Sequence, residues 1–193
     1  MERKNMQTLI TYGSQYGSTK QYAESFATLT GFPVLPYSEV QTAVACDCLI
    51  HFGALYAGGV LGLKHIVSLL PEGARLVIVT VGLADVQDTE NIKNIKRSIQ
   101  SQVSEDVLKR TDIFHLRGAI DYDRLNFKHR TMMALLYAKA RRLPEEKKNA
   151  ETRAMIETYG KKVSFVDDVT LHQLQYRMEQ VMKEYQTEAS KSD

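Results

Sequence analysis

The segment Leu76-Val77-Ile78-Val79 contains no polar position. A strand with one wet face alternates apolar and polar residues, so an unbroken apolar run must be covered on both faces. Such cover comes from crossover helices laid over each side of a parallel sheet. Residues 75–81 therefore read as a central strand of a layered α/β fold. Runs rich in β-formers at residues 8–12, 48–52 and 113–120 read as further strands. A weaker run at residues 32–37 carries Pro33 and Pro36, which confine it to a sheet edge.

Helical periodicity fills the intervals between these runs. After Gly17-Ser18-Thr19, Tyr22, Ala23, Phe26 and Ala27 recur at helical spacing up to Leu29, and Gly31 ends the pattern. Leu63, Ile66, Val67 and Leu70 mark a second helix, closed by Pro71 and Gly73. From Thr89, read as an N-cap, Ile92, Ile95, Ile99, Val103 and Val107 keep to one face of a long helix. Leu171, Leu174, Met178, Val181, Met182 and Tyr185 form a final stripe, and the polar tail beyond Gln186 is expected to fray. Strands alternating with helices imply right-handed crossovers and a mostly parallel sheet between helical layers. Five strands fit the doubly wound order 2-1-3-4-5. Residues 121–166 exceed that scheme and read as a helical insert after the fifth strand. Its helices are expected at residues 124–142 and 144–159, with Gly160 as the C′ residue, so residues 1–193 form one domain with an insert.

Composition serves mainly to exclude. A chain of 193 residues buries enough surface to fold without disulfides or metals. Its net charge of +2 gives no reason to expect a nucleic-acid partner. The charged start, Met1-Glu2-Arg3-Lys4, is followed by no apolar run, so a secretory signal is not expected and the location reads as cytoplasmic. The most apolar stretch, residues 44–63, contains Asp47, His51 and four glycines, which suits a strand and a glycine loop better than a membrane span. Cys46 and Cys48 at C-x-C spacing would share one face of a strand and pack as small apolar residues. His115, His129 and His172 show neither metal nor triad spacing and read as structural.

The chemistry-bearing segment follows the first strand: Tyr12-Gly13-Ser14-Gln15-Tyr16-Gly17-Ser18-Thr19. Backbone N–H groups at a helix start point outward and suit a phosphate, and Ser14, Ser18 and Thr19 add hydroxyl donors. Gly17 lets the backbone turn sharply beside the anion. Neither G-x-x-x-x-G-K-[ST] nor G-x-G-x-x-G is present, which disfavours a P-loop and a dinucleotide fingerprint. An ordinary turn with Ser/Thr helix caps remains the alternative. Two further loops, Gly53-Ala54-Leu55-Tyr56-Ala57-Gly58-Gly59 and Val81-Gly82-Leu83-Ala84-Asp85, emerge at the same carboxyl edge. One loop can hold a phosphate while the other two sandwich a flat ring, with Tyr56 as an aromatic face.

In these loops the chain resembles the flavodoxin-like superfamily of FMN proteins. Its phosphate loop reads T/S-x-T-G-x-T, and Ser14-Gln15-Tyr16-Gly17-Ser18-Thr19 matches it except at Tyr16, where the resemblance implies contact through the backbone amide. Within the superfamily it most resembles the menaquinone-dependent protoporphyrinogen oxidase branch and related flavodoxin-domain proteins. The residues concerned are Gly53-Ala54, Gly118-Ala119-Ile120-Asp121-Tyr122, and the basic and hydrophobic insert from Arg124 through Arg142. The resemblance implies a flavodoxin-like three-layer sandwich that binds FMN. The phosphate would lie on Ser14, Gln15, Tyr16, Gly17, Ser18 and Thr19. The ring would lie between Ala54, Leu55, Tyr56, Ala57 and Gly58 on one side and Gly82, Leu83, Ala84 and Asp85 on the other. It further implies electron transfer or flavin-dependent oxidoreduction, with a redox protein or a quinone- or porphyrin-type molecule as partner. A flavodoxin-fold module that binds partners without flavin is the reading from another class.

In the insert, Met132, Leu136 and Ala140 fall on one helical face, widened by Met133 and Tyr137, with Lys128, Arg130, Lys139, Arg141 and Arg142 at its ends. Three readings compete. The helix packs over the sheet edge as core, docks a quinone, a porphyrin carboxylate or an anionic membrane face, or forms a protein or homodimer contact.

Overall fold

The structure, a computed structural model, describes residues 6–43 and 45–189. The charged N-terminal residues 1–4, position 44 of the apolar stretch and the last four residues of the tail lie outside the described residues. In chain order the elements are β1 (Thr8–Gly13), α1 (Ser18–Thr30), β2 (Val34–Pro36), β3 (Cys48–Tyr56) and β4 (Gly59–Val60). They continue with α2 (Leu63–Ser68), β5 (Arg75–Gly82), α3 (Thr89–Gln100), α4 (Glu105–Leu108) and β6 (Thr111–Arg117). The chain then forms β7 (Ala119–Asp121), α5 (Phe127–Arg141), α6 (Ala150–Thr158), β8 (Lys162–Ser164) and α7 (Leu171–Ala189).

The run at residues 76–79 behaves as its lack of alternation requires. Val77 and Val79 enter one apolar cluster with Ile10, Tyr22, Phe26, Phe52, Leu171 and Leu174, which lies under α1 and α7. Leu76 and Ile78 point the other way and pack with Leu49, Leu63, Ile66, Ile95 and Ile99 under α2 and α3. Alternate side chains of one strand thus feed two cores. The sheet order is β2-β1-β3-β5-β6, all pairs parallel, which is the expected order once the strands are counted along that path. The Pro-bearing strand lies at the edge, as β2.

Several expectations are corrected. The third strand runs past Phe52 to Tyr56 and folds back as β4, pairing Leu55 with Val60 and Tyr56 with Gly59. Ala57 and Gly58 between them have φ of 51° and 78°, the pair of positive angles that a tight two-residue hairpin turn demands. The fifth strand breaks at Gly118, and its continuation β7 leaves the main sheet to pair antiparallel with β8. A Cβ at Gly118 would lie 2.7 Å from Ser18 Oγ and 2.9 Å from a Val81 methyl, so only glycine passes there.

The long helix expected from Thr89 is capped instead by Asp88 and stops at Gln100, although Val103 stays buried beyond the break. In the insert, the first helix starts at Phe127 because Asn126 caps it, and the second is a short turn followed by α6, capped by Asn149. Gly160 does take the left-handed conformation after α6, with φ of 72°. The final helix continues past Gln186 to Ala189, where fraying was expected. Cys46 lies ahead of β3, so the cysteines do not share a face: Cys48 joins the first cluster and Cys46 borders the second. Burial pushes their thiols up to about 11 for Cys46 and about 12 for Cys48, so both stay protonated near neutrality.

Candidate functional site

The loop after β1 sits where the sheet order reverses, with β2 on one side of β1 and β3 on the other. Its floor is tightly built. A Cβ on Gly13 would overlap the Leu61 carbonyl oxygen, and that oxygen accepts a 2.9 Å hydrogen bond from His51 Nε2. His51 Nδ1 meets Thr11 Oγ1 at 2.9 Å across the β1–β3 pair. His51 is fully buried, and burial lowers its pKa to about 4. Above this floor, Gly17 N–H donates to Ser14 Oγ at 3.1 Å and Gly17 takes φ of 99° at the N-cap position of α1. No side chain caps α1, and its first turn holds no acidic residue. The first amides of a helix have no partner within it, so this start presents donors and the positive end of the helix dipole. Thr19 is buried in that first turn.

The other two loops are braced differently. In the β3–β4 hairpin, Gly58 O accepts from Ser98 Oγ of α3 at 2.8 Å. Past β5, Leu83 O accepts from Arg117 Nε at 3.2 Å and from its terminal nitrogen at 2.9 Å, while the same guanidinium stacks 3.6 Å over Phe165. Asp85 is exposed, and its Oδ1 accepts from Gln87 N at 2.9 Å within the same turn. Asn91 Nδ2 donates to Asp85 O at 2.9 Å, and Ala84 is buried. Gly82 allows Leu55 to approach, since a Cβ there would lie 2.7 Å from a Leu55 methyl.

All three loops meet the insert. The Gln15 side-chain amide donates to His129 Nε2 at 3.2 Å. The His129 ring lies edge-on to Tyr16 at 6.0 Å and to Tyr56 at 6.5 Å. Tyr56 O–H points at Met132 Sδ, 3.9 Å away. Met132, Met133, Tyr16 and Leu83 belong to a third cluster with Ile120 and Tyr122, extended by Tyr159, which stacks on Tyr137 at 3.9 Å. Burial raises the Tyr16 pKa, with Tyr56 adding to the effect, and it pushes Tyr122 up to about 12. These phenols remain hydrogen-bond donors across the neutral range.

The expected site residues therefore divide. Residues 14–19 form one helix-start loop. Ala54, Leu55 and Tyr56 are strand residues rather than loop residues, Ala57 and Gly58 form the hairpin turn, Gly82 ends β5, and Leu83 through Asp85 lead on towards α3. A cavity of about 190 Å³ lies beside the hairpin. Leu55 and Tyr56 line it from the hairpin, Asn91 and Asn94 from α3, and Asn149 and the Glu151 carboxylate from the start of α6. None of Gly82, Leu83, Ala84 and Asp85 lines it. The sequence did not single out Asn91, Asn94 and Arg117, which line the cavity or brace the third loop, and His129, read as structural, packs against two of the three loops. Only the Met/His-rich start of the insert hinted at that contact. The outer side of α5 is the reverse of a packed core helix: Phe127 is 86% exposed and Leu135 68% exposed, and Leu136, inside on the core reading of this helix alone, is also exposed.

A doubly wound α/β sheet with its loops gathered at the carboxyl edge beside the switch point defines a flavodoxin-like fold. The chain belongs to the flavodoxin domain family, whose model matches residues 9–147. Among solved structures it is similar to a flavoprotein in complex with FMN from Lactobacillus acidophilus, at 12% identity, TM-score 0.39, over 58% of this chain and 92% of that one. It is also similar to a flavodoxin from the domain Archaea (15% identity, TM-score 0.37, 61% and 88% covered). A mutant of flavodoxin from Pseudomonas aeruginosa is matched at 15% identity and TM-score 0.38, with 69% and 95% covered. Strand order and the family match define the fold. No curated protein sequence matches significantly. Among the described residues no helix is long and apolar enough to cross a membrane.

Proposed function

We propose that this chain binds FMN and works as a flavin-dependent redox protein, with the phosphate at residues 14–19. The uncapped start of α1 carries the reading: Gly17 at positive φ, no capping side chain and no acidic residue in the first turn. A phosphate dianion satisfies such amides and complements the helix dipole, and a side chain at position 17 would be strained by the backbone. The residues present fit the phosphate end of the cofactor. FMN, when bound, supplies one- and two-electron transfer. The chain's own part is to bind, orient and shield. Ser14 holds the turn through Gly17 N–H, Ser18 and Thr19 stand in the first turn of α1, and Tyr56 offers an aromatic surface beside the cavity. Purified protein is expected to be yellow, or to quench the fluorescence of added FMN. A colourless protein that rejects FMN would overturn the reading in favour of a flavin-free binding module.

A second reading, menaquinone-dependent protoporphyrinogen oxidation, is favoured by the outer face of α5. Exposed Phe127 and Leu135 lie among Arg124, Lys128, Lys139 and Arg142, a pattern that suits the surface of an anionic membrane. Its test is the anaerobic appearance of porphyrin fluorescence from porphyrinogen. That signal is expected only when a menaquinone analogue is present, and its absence with flavin-loaded protein rejects the reading.

A further inference from the structure

We propose that the cavity between the β3–β4 hairpin, α3 and the start of α6 binds the ammonium group of a small organic amine, with the Glu151 carboxylate as its counter-ion. The inference does not rest on the FMN reading: the cavity lies on the α3 side of the hairpin, and neither residues 14–19 nor Gly82 through Asp85 line it.

Glu151 is the one charged side chain on the lining, and among the described residues its carboxylate has no hydrogen bond or ion pair. The cations close to it in the chain are engaged elsewhere. Lys148 pairs with the Glu145 carboxylate, and Arg153 donates to the Glu145 carbonyl oxygen at 3.3 Å. Glu151 is exposed along part of its length, so a ligand reaches it from solvent. Packing around the carboxyl nevertheless raises its pKa, with no neighbouring cation to offset the effect. A partly desolvated carboxylate without a partner is costly, and a bound cation relieves that cost.

The other groups suit an organic ammonium. A carboxamide oxygen has two lone pairs. Asn94 Oδ1 accepts one hydrogen bond, from Arg97 at 3.1 Å, and Asn149 Oδ1 accepts one, from Thr152 N at 2.8 Å, so each keeps an acceptor position. With the carboxylate they match the three N–H donors of an ammonium. Tyr56 adds an aromatic ring and Leu55 and Ile95 add aliphatic surface, which suit a cation carried on a carbon chain. A bare metal ion fits poorly, since no group of three or more His, Cys, Asp or Glu able to hold one occurs among the described residues. At about 190 Å³ the cavity takes a small amine.

The test titrates the full chain at neutral pH with n-butylamine, a cation there, and with n-butanol, an uncharged molecule of the same length. The side-chain NH₂ resonances of Asn94 and Asn149 are followed. The amine is expected to shift both saturably, and the alcohol to bind at least about tenfold more weakly, the worth of one charged hydrogen bond. Glu151→Gln keeps the shape, removes the charge and should weaken amine binding about tenfold. Glu157→Gln, on the same helix but off the lining, should leave it unchanged. No saturable shift, equal responses to amine and alcohol, or unchanged amine affinity in a folded Glu151→Gln overturns the inference and leaves Glu151 as a first-turn acid of α6. An equal loss in Glu157→Gln overturns it too, because the attraction would then belong to the acidic surface in general. Should Glu151→Gln fail to fold, the comparison of amine with alcohol in the wild type decides alone.

Discussion

Two strand-to-helix junctions leave the same edge of the sheet and end in opposite ways. At α3, Asp88 accepts from Glu90 N at 2.9 Å and Asn91 N at 3.0 Å, and Glu90 adds a second negative charge to the first turn. At α1, Gly17 contributes no side chain and no acid follows. One helix start is closed and negative, the other open and positive. Asn126 and Asn149 close α5 and α6 as well, and α2, which also starts on a glycine, has only six residues. Strand order brings several helix starts to one edge, but cap chemistry decides which of them is left open to an anion.

The floors under the two junctions differ too, and acid should separate them. The 82–88 junction hangs on hydrogen bonds from the Arg117 guanidinium and the Asn91 amide. The 14–19 junction stands on His51, neutral and buried, with a folded pKa of about 4 against about 6.5 when unfolded. Between those values the unfolded chain binds the extra proton. Stability therefore falls as pH drops through 6.5 and levels off below 4, a loss of about 3 kcal/mol by linkage. Burial lowers the His115 pKa as well, so it acts in the same direction. Denaturant unfolding of wild type and His51→Gln across this range tests it, and equal slopes for the two would remove His51 as the cause.

The caps themselves supply the next two effects. Gly17→Asp places a carboxylate at the open start of α1 and forces a non-glycine residue to φ of 99°. Strain, dipole and lost phosphate contact together predict FMN affinity reduced about a hundredfold, read by fluorescence titration. Asp88→Ala opens the other junction. It should cost about 1 kcal/mol of stability, read from the urea midpoint, and leave FMN affinity within about twofold. Equal losses of FMN affinity in the two variants would show that cap chemistry does not discriminate between the junctions.

Much of this contrast was legible in the chain, because it is local. The apolar run at 76–79, the helical stripes and the glycine of the first loop each act within a few residues, and they yield the alternation of strands and helices, which the doubly wound order fits, and the phosphate-loop expectation. Asp88 was passed over because Thr89 beside it is also a good cap. The hairpin after Phe52 was hidden by its glycines. Gly53 looks like a loop residue, yet its reason is packing, since a Cβ there would overlap Val60. Ala57 at positive φ is not a residue from which a tight turn is read. The cover over the loops was illegible for a different reason. His129 meets Gln15 across 114 positions, and nothing in local periodicity reports a contact of that span.

The smallest expected effect on stability tests whether the insert is two-sided. The inner side of α5 buries Met133 and Ala140 and touches the loops through His129 and Met132. Its outer side leaves Phe127 86% and Leu135 68% exposed. Replacing exposed residues that have no packing partners changes stability by no more than about 0.5 kcal/mol. Phe127→Ser with Leu135→Ser should therefore unfold at an unchanged urea midpoint and, on the membrane reading, lose co-sedimentation with vesicles containing anionic lipid. The two measurements pull apart the alternatives for this face. A stability loss well above that bound, growing with protein concentration, would mean that a second copy covers it, because association stabilises by mass action. An unchanged midpoint with unchanged vesicle binding would move the membrane contact off α5 and leave the helix with its inner side alone, as a wall over the three loops.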